Sequence, residues 1–169
     1  ALLNFGGFPE PLFQGEETFW KRWQRERLAR VVQDDLTSLE QVREVSALRL
    51  LASMLPTRVG SVLSINSLRE DLRVSFETAE RWVSIFENLY FCYRIPPFMQ
   101  DTVKAIQKEK KIYLFDWSLC SDPGARFENM VAGHLLKYCH YIEDSEGEDM
   151  ALCFLRDKEK RELDFLVLK

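Results

Sequence analysis

Apolar residues recur along this chain first at helical spacing and later at strand spacing. Between Asn66 and Phe91, Leu68 and Leu72 stand one turn apart; after a short polar break Phe76, Ala79, Trp82 or Val83, Phe86 and Leu89 follow at three- and four-residue steps. The spacing predicts two helices joined by a tight turn, the second the longer, with Ser75 as its N-cap. Such a pair is a helix-turn-helix. Ahead of it, Val42, Val45, Leu48, Leu51 and Leu55 predict a support helix over 38–55, opened by a Ser38/Gln41 capping box and ended by Pro56. Residues 16–36 also read as helix, with Phe19, Trp20, Trp23, Leu28, Val31 and Val32 along one side. Leu2 to Gln14 read as an entry of turns and extended backbone, punctuated by Gly6-Gly7 and two prolines.

Beyond Leu89 the pattern changes. Phe91 to Ile95, closed by Pro96-Pro97, and Lys111 to Phe115 read as strands. A hairpin after a helix-turn-helix is the wing of a winged helix, and its connection over 98–110 is longer than most hairpin loops. Asp122-Pro123-Gly124 marks a break. A helix follows over Arg126 to Tyr138, with Phe127, Met130, Val131, Leu135 and Tyr138 on one side. Strands are then predicted at Cys139–Ile142, Ala151–Leu155 and Leu163–Leu168, with an acidic loop over 143–149 and the last strand buried. A helix followed by strands begins a small α/β layer. The closing apolar run, and the absence of an initiator Met, read as the marks of a fragment.

Composition narrows the class. At 169 residues and 46% hydrophobic, the chain can bury one good core or two small ones, and no apolar run approaches the length of a membrane span. The expectation is a soluble, cytoplasmic protein that does not engage a membrane. A net charge of −4 supplies no global positive field for nucleic acid, so any such contact must be local. Two local basic clusters exist: Lys21 to Arg30, and Lys104, Lys108, Lys110 and Lys111 around the wing. The first reads either as a phosphate-contacting helix or as a solvated face whose long stems cover the aromatic stripe. Cys92, Cys120, Cys139 and Cys153 form no CxxC pair, and His134 and His140 do not complete a metal spacing. Free, packed thiols are the expectation.

Four segments, GGFPE at 6–10, IYLFDWSL at 112–119, RFENMVAGHLLK at 126–137 and LRDKEKRELDFLV at 155–167, together resemble the predicted prokaryotic ATPases of the AAA+ superfamily. Such proteins carry a P-loop ATPase, then a winged helix, then a domain similar to the PD-(D/E)XK nuclease fold. The resemblance implies an α+β chain: a helical connector over 1–36 from an ATPase domain, a winged helix-turn-helix over 37–119, and the opening part of a restriction-endonuclease-like α/β layer over 120–169. No G-x-x-x-x-G-K-[ST] is present, so ATP and Mg²⁺ would belong to the parent and no cofactor to this chain. By motif match Glu128 would be the helix carboxylate and Asp164 the strand carboxylate of a nuclease-type metal site. Glu162, two residues before Asp164, would share its sheet face. The E-x-K half of that motif is missing, so this chain is expected not to cleave.

Two functions follow. In one the chain is a nucleic-acid-associated module contacting duplex DNA through Arg69, Arg73, Thr78, Arg81, Lys104, Lys108, Lys110 and Lys111. In the other it is a regulatory module that packs on its own ATPase domain or a partner. Off the apolar stripe of the second helix stand Glu77, Glu80 and Glu87 against the single Arg81, which disfavours specific reading of a phosphate-lined groove.

Overall fold

A computed structural model describes residues 1–31, 45–99, 109–156, 159 and 161–169 and shows a mixed helix-and-sheet chain with two small antiparallel sheets. The Ser38/Gln41 capping box, Lys104 and Lys108 lie outside the described residues. Two helices joined by a tight turn form where the spacing places them. Ser64 accepts from the Ser67 amide and opens α5 (Ile65–Leu72); Ser75 accepts from the Thr78 amide at 3.1 Å and opens α6 (Phe76–Asn88). Between them Arg73 turns the chain in the left-handed region, φ 56°. Leu68, Leu72, Ala79, Trp82, Val83 and Phe86 are buried against Leu48, Leu51 and Ala52 of α4 (Val45–Met54). Phe76, expected in the stripe, lies at the outer end of α6 and stays 44% exposed.

The entry segment is more regular than expected. It forms α1 (Leu2–Phe5) and α2 (Pro9–Gln14), and α3 (Glu17–Arg30) follows. Pro9 stands in the first turn of α2, where its missing N–H would have no partner anyway. This segment is seated on the turn at 116–118: Trp117 Nε1 donates to the Leu2 carbonyl at 3.0 Å and Trp20 Nε1 to Ser118 Oγ at 2.9 Å. A Cβ on Gly6 (φ 81°) would lie 2.5 Å from Asp116 Oδ1, and one on Gly7 2.7 Å from the Trp117 ring. Two of the sequence segments singled out above therefore fit each other directly.

Strand β1 (Cys92–Ile95) pairs antiparallel with β2 (Lys111–Leu114), Cys92 opposite Leu114 and Ile95 opposite Lys111. Residues 60–63 flank β2 on its other side: Gly60 N donates to the Ile112 carbonyl, Ile112 N to that of Ser61, and Val62 bridges Lys111. Helix α7 (Pro123–Glu146) is capped by Asp122, whose Oδ1 accepts from the Ala125 amide at 2.8 Å, and closes at Gly147, φ 71°. It runs through the predicted strand Cys139–Ile142 and through the front of the predicted acidic loop, and both expectations are corrected. Cys139 and Ile142 sit three residues apart and extend the buried face of Asn129 and Ala132. Glu143, Asp144 and Glu146 oppose the helix dipole in the last turn, which is why the sequence reads there as a loop; Lys169 Nζ, 3.3 Å from Glu146, offsets part of that.

Strands β3 (Ala151–Arg156) and β4 (Glu162–Leu168) form the second sheet, with an irregularity between Cys153 and Leu155. The last strand is not buried as expected: Leu163 is 51% exposed and its apolar neighbours are half-buried. Phe154 joins the sheets, its N–H donating to the Pro96 carbonyl at 3.0 Å and its carbonyl accepting from Phe98 N at 2.6 Å. One buried cluster runs from Val31 through α4, α5, α6 and the first sheet to Cys139, Leu152 and Phe154. All four cysteines are free and buried, as expected, and burial pushes the Cys120 thiol up to about 12.

Asn129, fully buried, stitches α7 to β2. Its Nδ2 donates to the Leu114 carbonyl at 2.7 Å and its Oδ1 accepts from Leu114 N at 2.9 Å. Asn129→Ala would leave both backbone groups unpaired in the core, each costing about 1–3 kcal/mol. Ser75→Ala, at a cap exposed to water, should cost only about 1 kcal/mol. Urea titration should show the larger midpoint shift for Asn129→Ala, with the m-value unchanged.

Candidate functional site

The alternation of β2 puts Lys111 and Tyr113 on one face and Ile112 and Leu114 on the other. That first face meets α7 and β4. Lys111, only 2% exposed, places its Nζ against Glu162 Oε1, 3.0 Å from Asp164 Oδ1 and 3.9 Å from Glu128 Oε1. Tyr113 donates its hydroxyl to the same Glu128 oxygen at 2.7 Å. Arg156 Nε approaches the other Glu162 oxygen at 3.7 Å. The three carboxylates named from sequence are thus gathered from one helix and one strand around a single ammonium. Glu162 and Asp164 do share a face of β4.

Gly60 makes room for this. A Cβ there would stand 2.8 Å from Glu128 Oε1, and φ is 75°, so any other residue at this position would push on the carboxylate and strain the backbone. Burial works against the charged form of Lys111, but hydrogen bonds to Glu162 and Asp164 outweigh it and hold the ammonium above its usual pKa. Burial, then the Glu128 carboxylate, push the Tyr113 phenol well above its usual value. The phenol stays a donor.

These residues do not fit a divalent cation as they are arranged. Lys111 supplies the positive charge at their centre, and among the described residues no group of three or more His, Cys, Asp or Glu is disposed to hold a metal ion. Lys111 was expected to reach a phosphate from the wing. Its burial corrects that: it would first have to leave three carboxylates. Lys110 is half-buried, with its carbonyl accepting from Leu63 N.

On the α5–α6 pair, Arg73 and Arg81 are exposed at the turn and on the first half of α6. Arg69 Nε donates to Asn66 Oδ1 at 3.1 Å, and Thr78 is half-buried beside the Ser75 cap. The acids of α6 do not all face outward. Arg94 of β1 binds Glu80 at 2.8 Å and Glu87 at 2.7 Å, drawing both against the hairpin. Glu77 is held below the usual carboxylate range, first by its backbone amide, then by Ser75 and the charge of Arg69. On α3 the basic stretch is largely engaged: Lys21 with Glu17, Arg22 with Glu26, and Arg27 stacked on Phe8 at 4.3 Å.

Sequence reasoning missed Lys111 as the centre of the cluster, together with Tyr113, Gly60 and Arg94. A signal was present. Lys111 opens an apolar strand and Arg94 interrupts another, and a cation in such a run needs a buried partner.

A family model described as a domain of unknown function (DUF8612) matches residues 1–122. No curated protein and no solved structure matches the chain.

Lys111→Met removes the one cation common to three acids. Since Glu162 and Asp164 keep part of their water, the cost should fall near the low end for a broken buried pair, about 3 kcal/mol. A lysine whose folded pKa is raised stabilises fully below its unfolded pKa, about 10.4, and loses that contribution as pH rises through the folded value. Denaturation from pH 7 to 11.5 should give a wild-type advantage that is level to about pH 10 and narrows above it.

Proposed function

The chain belongs to the DUF8612 family, and we propose that it is a non-catalytic, nucleic-acid-associated module of a larger AAA+ type ATPase. In this reading α4, α5, α6 and the β1–β2 hairpin form a winged helix, with residues 60–63 as the third, outer strand. Helix α7 with β3 and β4 is the opening part of a nuclease-like layer, and the family match ends at Asp122, the cap of α7. ATP and Mg²⁺ belong to the parent's ATPase part. In this reading Glu128, Glu162 and Asp164 derive from nuclease-type carboxylates, but with Lys111 between them they serve structure and carry no cleavage.

The observation that carries the nucleic-acid reading is the Arg94 clamp. Counted from sequence, α6 presents three acids and one base. With Glu80 and Glu87 turned to Arg94, its leading end offers Glu77 against Arg81, with Arg73 and Arg69 beside it. Helices of this kind approach a duplex with their N-terminal residues, and guanidinium groups there suit phosphate contact. Lys110 would add a contact from the hairpin, and Lys104 and Lys108 belong to the same proposal.

A second reading, a regulatory module docked on its own ATPase domain, is favoured by exposed aromatics on α7: Phe127 at 56%, Tyr138 at 51% and Tyr141 at 65%. Fluorescence anisotropy with a short labelled duplex separates the two. The nucleic-acid reading expects binding at 50 mM salt whose log K falls linearly with log salt, and Arg73→Ala/Arg81→Ala should lower that slope by about 2. Absence of binding at 50 mM salt, with the isolated ATPase part retaining the chain in a pull-down, would establish the second reading instead.

A further inference from the structure

Away from the carboxylate cluster, α7 and the N-terminal segment enclose a pocket of about 460 Å³. Its walls are Leu2, Phe8, Phe115 and Trp117, a size and lining ordinary for small-molecule sites. From α7 come Gly133, Leu136, Lys137 and His140, at steps of three, four and seven residues and so on one helical face. Gly133 is the floor. A Cβ there would stand 3.7 Å from both the Trp117 ring and the Tyr93 hydroxyl, and that hydroxyl is buried with no hydrogen-bond partner among the described residues. His134 lies against the Trp117 ring at 5.6 Å.

Among the described residues no carboxylate lines this pocket, whereas Lys137, His134 and His140 do, and no ion pair engages Lys137. A neutral apolar ligand would gain from the walls alone. An apolar body carrying one anionic group gains as well from an ammonium that no acid among the described residues engages. We propose that this pocket binds a small amphipathic organic acid, its ring or branched chain between Trp117, Phe8 and Leu136 and its carboxylate at Lys137 and His140. The proposal is independent of the nucleic-acid reading and survives its failure.

Isothermal titration of the full chain with 1-naphthaleneacetate and with the neutral 2-(1-naphthyl)ethanol tests it. The acid should bind one to one, and at least about tenfold more tightly than the alcohol. Lys137→Met, at an exposed position, should lower the affinity for the acid about tenfold and leave the alcohol unchanged. Gly133→Leu should abolish binding of both by filling the floor. Leucine is the better helix former, which offsets part of the crowding against Trp117 and Tyr93, and a cooperative thermal melt establishes that the variant is folded before its binding is read. Equal affinity for acid and alcohol, no heat from either at millimolar concentration, or undiminished binding by a folded Gly133→Leu variant would each overturn the proposal.

Discussion

An ammonium with almost no access to water sits where three carboxylates from separate parts of the chain come together, and much of the architecture is arranged so that it can. Removing Lys111 from water is costly, and only charge-assisted hydrogen bonds of short length recover that cost. Glu162 and Asp164 supply them from β4, Glu128 stands by from α7, and Tyr113 holds Glu128 in place. Gly60 has to lack a side chain for Glu128 to reach the site. Residues more than a hundred positions apart are therefore set by a single charge.

The first sheet carries a cation on each strand, and the two serve opposite sides of the molecule. Arg94 on β1 reaches back to Glu80 and Glu87 of α6, while Lys111 on β2 reaches forward to α7 and β4. The hairpin is in this sense a charged joint between α6 and the elements after Asp122. The same property alters the electrostatics of α6: acids that look available in a list of residues are already neutralised by a neighbour.

Elements governed by local rules were legible. The Ser75 cap, the stripe of α6, the hairpin strands and the four packed thiols follow from spacing and side-chain chemistry within a few residues; the Ser64 cap of α5 was not expected. The motif match named Glu128, Glu162 and Asp164 as metal-holding carboxylates; they do meet, but around the Lys111 ammonium. The length of α7 was not legible. Its final turns combine β-prone residues at 139–142 with acids against the dipole, and only contact of Cys139 and Ile142 with the core reveals why they are helical. Nor was Lys111, because a lysine near a loop reads as solvated until its partners, some fifty residues later in sequence, are seen beside it.

The junction at Phe154 has a mechanical side. Prolines at 96 and 97 cannot donate, and among the described residues the backbone link between the two sheets is a pair of hydrogen bonds, one to the Pro96 carbonyl and one from Phe98. With so short a seam, the β3–β4 ribbon is fastened mainly through its side chains: Leu152, Cys153 and Phe154 are buried, Phe165 lies 5.8 Å from the Tyr113 ring, and Glu162 and Asp164 bind Lys111. Packing and charge do here what a continued sheet would do elsewhere.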